Sequence, residues 1–181
     1  MLIEEIINED GLKISVFDEA VSMMWHSDAY DFCKKAKYAL GWEDTPDISG
    51  SKHVYMHSMM SDDDIDKYDA FSGITCPDLR KLVDGKTVSE SAINLTFPTD
   101  TYFPHVHAGM TMLIYNNLNW SPHWAGETLF YSNDLRKVIY AAIPAPRRVL
   151  VFDGVIPHSL RPHSIEAPHH RFTTAVMFDQ S

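Results

Sequence analysis

Basic residues are in short supply: 15 Lys and Arg stand against 25 Asp and Glu, for a formal net charge of -10. No basic run appears, so no nucleic-acid partner is expected, because a phosphate backbone is held by clustered cations. Cysteine is scarcer still. Cys33 and Cys76 lie far apart and outside any paired-Cys motif. That excludes a disulfide framework and fits free thiols in a reducing compartment. No apolar run approaches the ~18 residues of a membrane span, so no membrane is expected. The N-terminus, Met1 to Asp10, is acidic and unlike a secretory signal. These absences give a cytoplasmic expectation. Repeats, low-complexity tracts and dividing linkers are also missing. With 45% hydrophobic content, residues 1–181 therefore read as one domain with a sizeable core.

Two characters follow one another along the chain. Leu12 to Phe17 alternates apolar and polar residues and predicts a strand. Val21 to Leu40 predicts an amphipathic helix stopped by Gly41, with Met23, Met24 and Trp25 packing on a sheet. Glu43 to Lys52 predicts a loop, and His53 to Met60 a strand. Ser61-Asp62-Asp63-Asp64 reads as a helix start or an acidic turn. A calcium loop is disfavoured there, since the alternating acidic ligands, the central Gly and the closing Glu are missing. Pro77 to Val83 predicts a short helix.

After Lys86, short apolar runs recur between turn residues. They are Ser91–Phe97, Tyr102–His107, Met110–Tyr115, Glu127–Tyr131, Lys137–Ile143, Arg148–Phe152 and Arg171–Phe178. Many short strands at this spacing predict a sandwich or barrel. Residues of about 1–87 would pack on that β core of about 88–178.

The chemistry gathers around His105-Val106-His107. In an extended segment residues i and i+2 share a face, so the two imidazoles project together as a pair of metal ligands. The best third ligand is His158, which follows the apolar run Val149–Phe152 and a Gly turn. Sites are commonly built at such strand ends. Arg171 and Thr173 share a face by the same period of two. A guanidinium beside a hydroxyl suits the binding of a small carboxylate. His163, His169 and His170 sit in a Pro-flanked loop and read as solvated. Trp120, Trp124, Phe130 and Tyr131 read as core or rim aromatics.

The order of motifs resembles the prolyl-4-hydroxylase-like group of Fe(II)/2-oxoglutarate oxygenases. It runs His105-Val106-His107, then Tyr115-Asn116-Asn117-Leu118-Asn119-Trp120, then Ala125-Gly126-Glu127-Thr128-Leu129-Phe130. Pro144…Arg148-Val149-Leu150-Val151-Phe152, His158 and Arg171-Phe172-Thr173 complete it. The resemblance covers about residues 88–178. It implies a mainly β fold with flanking helices, a double-stranded β-helix or jelly roll. It also implies Fe(II) held by His105 and His158, 2-oxoglutarate held by Arg171 and Thr173, O2 as oxidant, and a small-molecule or peptidyl substrate.

His107 departs from that pattern, standing where the family has a metal-binding Asp. We take it as the third metal ligand, in a site with one negative charge fewer than two His and a carboxylate provide. The occupied position disfavours halogenation. Ile114 replaces a tyrosine often found before Tyr115, and Ala125 replaces a Gly. The expected activity is a 2-oxoglutarate-dependent dioxygenase of the hydroxylase type. Two alternatives stay open: a cupin-like three-His dioxygenase that does not use 2-oxoglutarate, and a non-catalytic metal-bearing jelly-roll binding protein. Against the cupin, Thr111 stands where its Glu would follow the second His.

Overall fold

The computed structural model describes residues 1–42, 53–98, 100, 102–167 and 170–179. Two antiparallel sheets form the body. The elements in chain order are β1 (Leu2–Ile7), β2 (Lys13–Phe17), α1 (Met23–Lys35), β3 (Ala39–Trp42) and β4 (His53–Met59). There follow α2 (Asp62–Tyr68), α3 (Pro77–Val83), β5 (Val88–Thr96), β6 (Met110–Tyr115) and a 3-10 turn at Pro122–Trp124. The chain closes with β7 (Thr128–Tyr131), β8 (Val138–Ala142), β9 (Val149–Asp153), β10 (His158–Leu160) and β11 (Arg171–Phe178). The large sheet has the order β1-β2-β9-β6-β11-β5-β4-β3, and the small one β10-β7-β8. This is the expected mainly β jelly roll with flanking helices. The first part of the chain extends the large sheet at both edges, through β1-β2 and β4-β3.

The period of two sorts each central strand into two environments. On β11, Phe172, Val176 and Phe178 join a core under the helices with Trp25, Tyr68 and Leu79. Arg171, Thr173, Ala175 and Met177 line a cavity on the other face. β6 divides likewise: Met112 and Ile114 face the helix core, while Leu113 and Tyr115 join Phe130, Leu150 and Phe152 between the sheets. Burying one such aromatic or aliphatic side chain stabilises the fold by about 1.5–3 kcal/mol before entropy is counted. The helix layer is tied to the sheet by a buried relay. Tyr68 Oη donates to Asn116 Oδ1 at 2.9 Å, and Asn116 Nδ2 donates to Thr174 Oγ1 at 2.8 Å.

Capping settles the helices. Ser61 and Asp64 form a capping box at the start of α2, so the acidic run is a helix N-terminus with its carboxylates at the positive end of the dipole. Pro77 opens α3 at a position where its missing N–H costs nothing. The helix expected over Val21–Leu40 is shorter. Ser22 caps α1, Ala36 turns extended after Lys35, and Ala39–Trp42 pairs with β4 instead. Its buried stripe is Trp25, Ala29 and Cys33, at i, i+4 and i+8. Met23 and Met24 lie off that stripe and are 74% and 78% exposed, so of the three residues expected to pack only Trp25 does. The loop expected over Glu43–Lys52 lies outside the described residues.

Candidate metal centre

Three imidazoles converge although only one of them sits in a regular strand. The expected strand over Tyr102–His107 is reduced to a single bridge. His105 and His158 exchange both backbone hydrogen bonds, each 3.0 Å long. His107 is fixed separately, its N–H donating to Gly154 O at 2.8 Å while Gly154 N–H donates to Gly109 O at 2.7 Å. A Cβ at Gly154 would stand 2.7 Å from Gly109 O and 2.8 Å from His107 O. Only glycine lets the turn after β9 close on the His107 segment at this distance. Ring centroids are 4.4 Å apart for His105 and His158, and 5.0 Å from His107 to each of them. One ligand atom from each residue falls within 4.8 Å of the others.

Hydrogen bonding selects the tautomers. His158 Nδ1 lies 2.8 Å from Ile156 O, and His105 Nδ1 lies 3.2 Å from Phe103 O. A carbonyl only accepts, so each Nδ1 carries the proton and each Nε2 keeps its lone pair. Burial drives all three rings toward the neutral form. It is the leading cause at His158, well below the usual histidine range, at His105, and at His107, pushed down to about 4. Neutral imidazole is the form that binds metal.

The far end of the cavity has opposite character. Arg171 is 2% exposed, and burial lowers its pKa. Its Nη2 donates to Thr128 Oγ1 at 3.2 Å, and Tyr115 Oη lies 2.8 Å from that same oxygen. Its guanidinium sits 5.2 Å from the Tyr115 ring centre. Its Nε is buried with no hydrogen-bond partner among the described residues. Among the described residues no carboxylate lies within ion-pairing distance of this buried cation. Thr173, two residues on, lines the same cavity. The cavity measures about 70 Å³, several times the roughly 10–15 Å³ that one water requires on that measure.

All five residues singled out in the sequence, His105, His107, His158, Arg171 and Thr173, therefore border one cavity. Others there were not singled out. Thr128 and Thr111 line it, and Tyr115 supports Arg171 through Thr128. Strand parity could have found Tyr115, since it alternates with Leu113 on the interior face, whereas Ile114 faces the helices. The tyrosine missing at Ile114 would have pointed away from the cavity. His163 is not solvated as expected. It is 4% exposed, bridges backbone with Ala125 and packs edge-on to Trp120. Gly126 makes room for this: a Cβ there would meet Trp120 at 3.0 Å, His163 at 3.1 Å and Arg171 at 3.5 Å.

No family model matches the chain, and no curated protein matches it in sequence. Solved structures do match in three dimensions. A Pseudomonas putida prolyl-4-hydroxylase aligns with TM-score 0.66 at 15% identity, over 93% of this chain and 92% of that one. A Trichoplax adhaerens prolyl hydroxylase, solved with a hypoxia-inducible-factor oxygen-degradation-domain peptide, aligns with TM-score 0.64 at 15% identity, over 91% and 82%. An oxidoreductase of the 2OG-Fe(II) oxygenase family from Burkholderia pseudomallei aligns with TM-score 0.63 at 12% identity, over 94% and 86%. The fold of this chain is that of the prolyl-4-hydroxylase-like 2-oxoglutarate oxygenases.

Proposed function

We propose that this chain is an Fe(II)- and 2-oxoglutarate-dependent oxygenase of the hydroxylase type with a three-His metal site. One observation carries the reading. A buried guanidinium, with no carboxylate at ion-pairing distance among the described residues, shares a small cavity with three convergent imidazoles. Leaving a buried cation unpaired is costly, and an anionic ligand removes that cost. A metal at the other end asks for a ligand that chelates. 2-Oxoglutarate does both, with a keto-carboxylate at one end and a second carboxylate at the other.

In this reading His105, His107 and His158 hold Fe(II). The backbone carbonyls of Phe103 and Ile156 keep the His105 and His158 lone pairs turned to it. Arg171 and Thr173 receive the distal carboxylate. The Thr128 hydroxyl holds the guanidinium in place and is itself hydrogen-bonded to the Tyr115 hydroxyl. Leu113, Phe152 and Ala175 wall the space between the ends and exclude water. Bound iron with O2 supplies the oxidation, in which 2-oxoglutarate becomes succinate and CO2 and one oxygen atom enters a substrate C–H bond. The substrate is a small molecule or a peptide, and the peptide complex of the Trichoplax enzyme supports the second. The cupin-like alternative leaves Arg171 without a role.

Anaerobic titration of the apoprotein with Fe(II) and then 2-oxoglutarate tests this. A metal-to-ligand charge-transfer band in the visible, followed on aeration by succinate, is the expected result. Fe(II) binding with neither band nor succinate contradicts it and favours a binding protein or a cupin-like dioxygenase.

A further inference from the structure

The cavity has an unusual charge count. Among the described residues that line it there is no Asp or Glu, and its one fixed charge is Arg171. The nearby carboxylates do not line it. Asp153 accepts from Lys13 N–H at 2.7 Å, Asp100 accepts from Phe97 N–H at 2.7 Å, and Glu127 lies 3.7 Å from Arg161 while its charge also acts on Arg171. Three neutral imidazoles leave a divalent ion its whole charge, where a carboxylate ligand would cancel one unit. 2-Oxoglutarate, a dianion, offsets Arg171 and half of the metal charge. One positive charge is left over in a half-open space lined largely by buried side chains, where such a charge attracts an anion over several ångströms.

An independent feature lies at the same end. Thr111 is 1% exposed and lines the cavity, and its hydroxyl has no hydrogen-bond partner among the described residues. Thr111 pairs with Phe152, whose ring is 4.8 Å from that of His158, and follows two residues after the Gly109 that clasps Gly154. A buried hydroxyl normally has a partner, so this one is a donor awaiting an acceptor.

Resting on the oxygenase reading, we propose that the cavity also takes a monoanionic group at its metal end, received by the His105–His107–His158 centre and the Thr111 hydroxyl. The group is a carboxylate or an anion of similar size, brought by the substrate or bound free. In the first case the substrate is a carboxylic acid, and its carboxylate sets which C–H bond faces the metal. In the second, a small anion completes the site before substrate enters.

The test uses the full chain loaded anaerobically with Co(II), a spectroscopic stand-in for Fe(II), and saturated with 2-oxoglutarate. The Co(II) ligand-field bands are followed while azide, formate and longer monocarboxylates are added. Azide and formate are expected to shift the bands. Binding should weaken by about tenfold or more in His107→Asp, which returns a negative charge to the centre. Thr111→Val should weaken it severalfold while 2-oxoglutarate still binds. Response to formate that fades with longer acids identifies a free anion, and response that persists identifies a substrate carboxylate. Bands that respond to 2-oxoglutarate but to none of the anions overturn the proposal and leave the oxygenase reading standing. Equal anion affinity in wild type and both variants overturns it as well. Bands that ignore 2-oxoglutarate sink the oxygenase reading and this proposal together.

Discussion

At the imidazole end of the cavity the chain closes on Gly154, and at the guanidinium end on Gly126. In both places a missing Cβ lets two segments touch: His107 and Gly109 in the first case, Trp120, His163 and Arg171 in the second. The ends differ in what they present. The imidazole end brings three neutral rings together beside a Thr111 hydroxyl that has no hydrogen-bond partner among the described residues. The guanidinium end presents a buried cation whose Nε has no partner among the described residues. The first asks for a cation and the second for an anion. A metal ion would meet the first, and one elongated molecule that chelates the metal and ends in a carboxylate would join the two.

Five variants can break or sharpen this comparison. The largest effect is expected from His158→Ala, which removes the most buried of the three convergent imidazoles. Metal affinity should fall at least about 100-fold, since even outer partners of a ligand are worth 10–100-fold. Isothermal titration with Fe(II) or Co(II) reads this. Arg171→Gln comes next. Removing one partner of a desolvated charge pair typically costs about 2–5 kcal/mol, so 2-oxoglutarate should weaken by about 30-fold or more. Metal affinity should stay within about threefold, because the Arg171 guanidinium is held by Thr128 and lies over Tyr115, not on one of the three convergent imidazoles. Equal losses of metal and 2-oxoglutarate would make Arg171 a structural residue.

The two glycines sharpen the contrast. Gly154→Ala should weaken metal by about tenfold, and Gly126→Ala, at a φ of 84°, should weaken 2-oxoglutarate by about as much. Dialysis against each ligand, with circular dichroism to verify folding, separates the two. Exchange of the two phenotypes would mean that the ends have been assigned the wrong way round.

The smallest effect concerns His163 behind Arg171. Burial, with the nearby Arg171 charge second, pushes its pKa down to about 4, against an ordinary value of 6.5. The unfolded chain therefore binds more protons below pH 6.5. The stability contributed by neutral His163 is complete above about pH 6.5 and is lost as pH falls toward 4. His163→Phe, which keeps a ring against Trp120, should flatten the fall of Tm over that interval by a few degrees. An unchanged slope would mean that His163 titrates normally.

Much of this cavity was legible in the sequence, for one physical reason: alternation along an extended chain. It places His105 with His107 and Arg171 with Thr173 wherever the backbone is straight, even though Tyr102–His107 makes only a single bridge. Tertiary contact was not legible. His163 is buried because residues of the 160–167 loop fold over the turn before β7, which no local pattern announces. β1 was missed because its mostly exposed residues lack alternation and its pairing rests on main-chain bonds to β2. Met23 and Met24 were misplaced because the register of α1 is set by Trp25, Ala29 and Cys33.

If one ligand spans both ends of the cavity, its affinity and that of the metal are linked. 2-Oxoglutarate affinity should be determined by calorimetry with and without metal, and metal affinity with and without 2-oxoglutarate. The account predicts that each raises the affinity of the other by the same factor, about tenfold or more, in wild type, and that Arg171→Gln lowers 2-oxoglutarate affinity whether or not metal is bound. Affinities that are independent of one another in wild type would mean that the imidazoles and the guanidinium serve separate ligands, and would contradict the account.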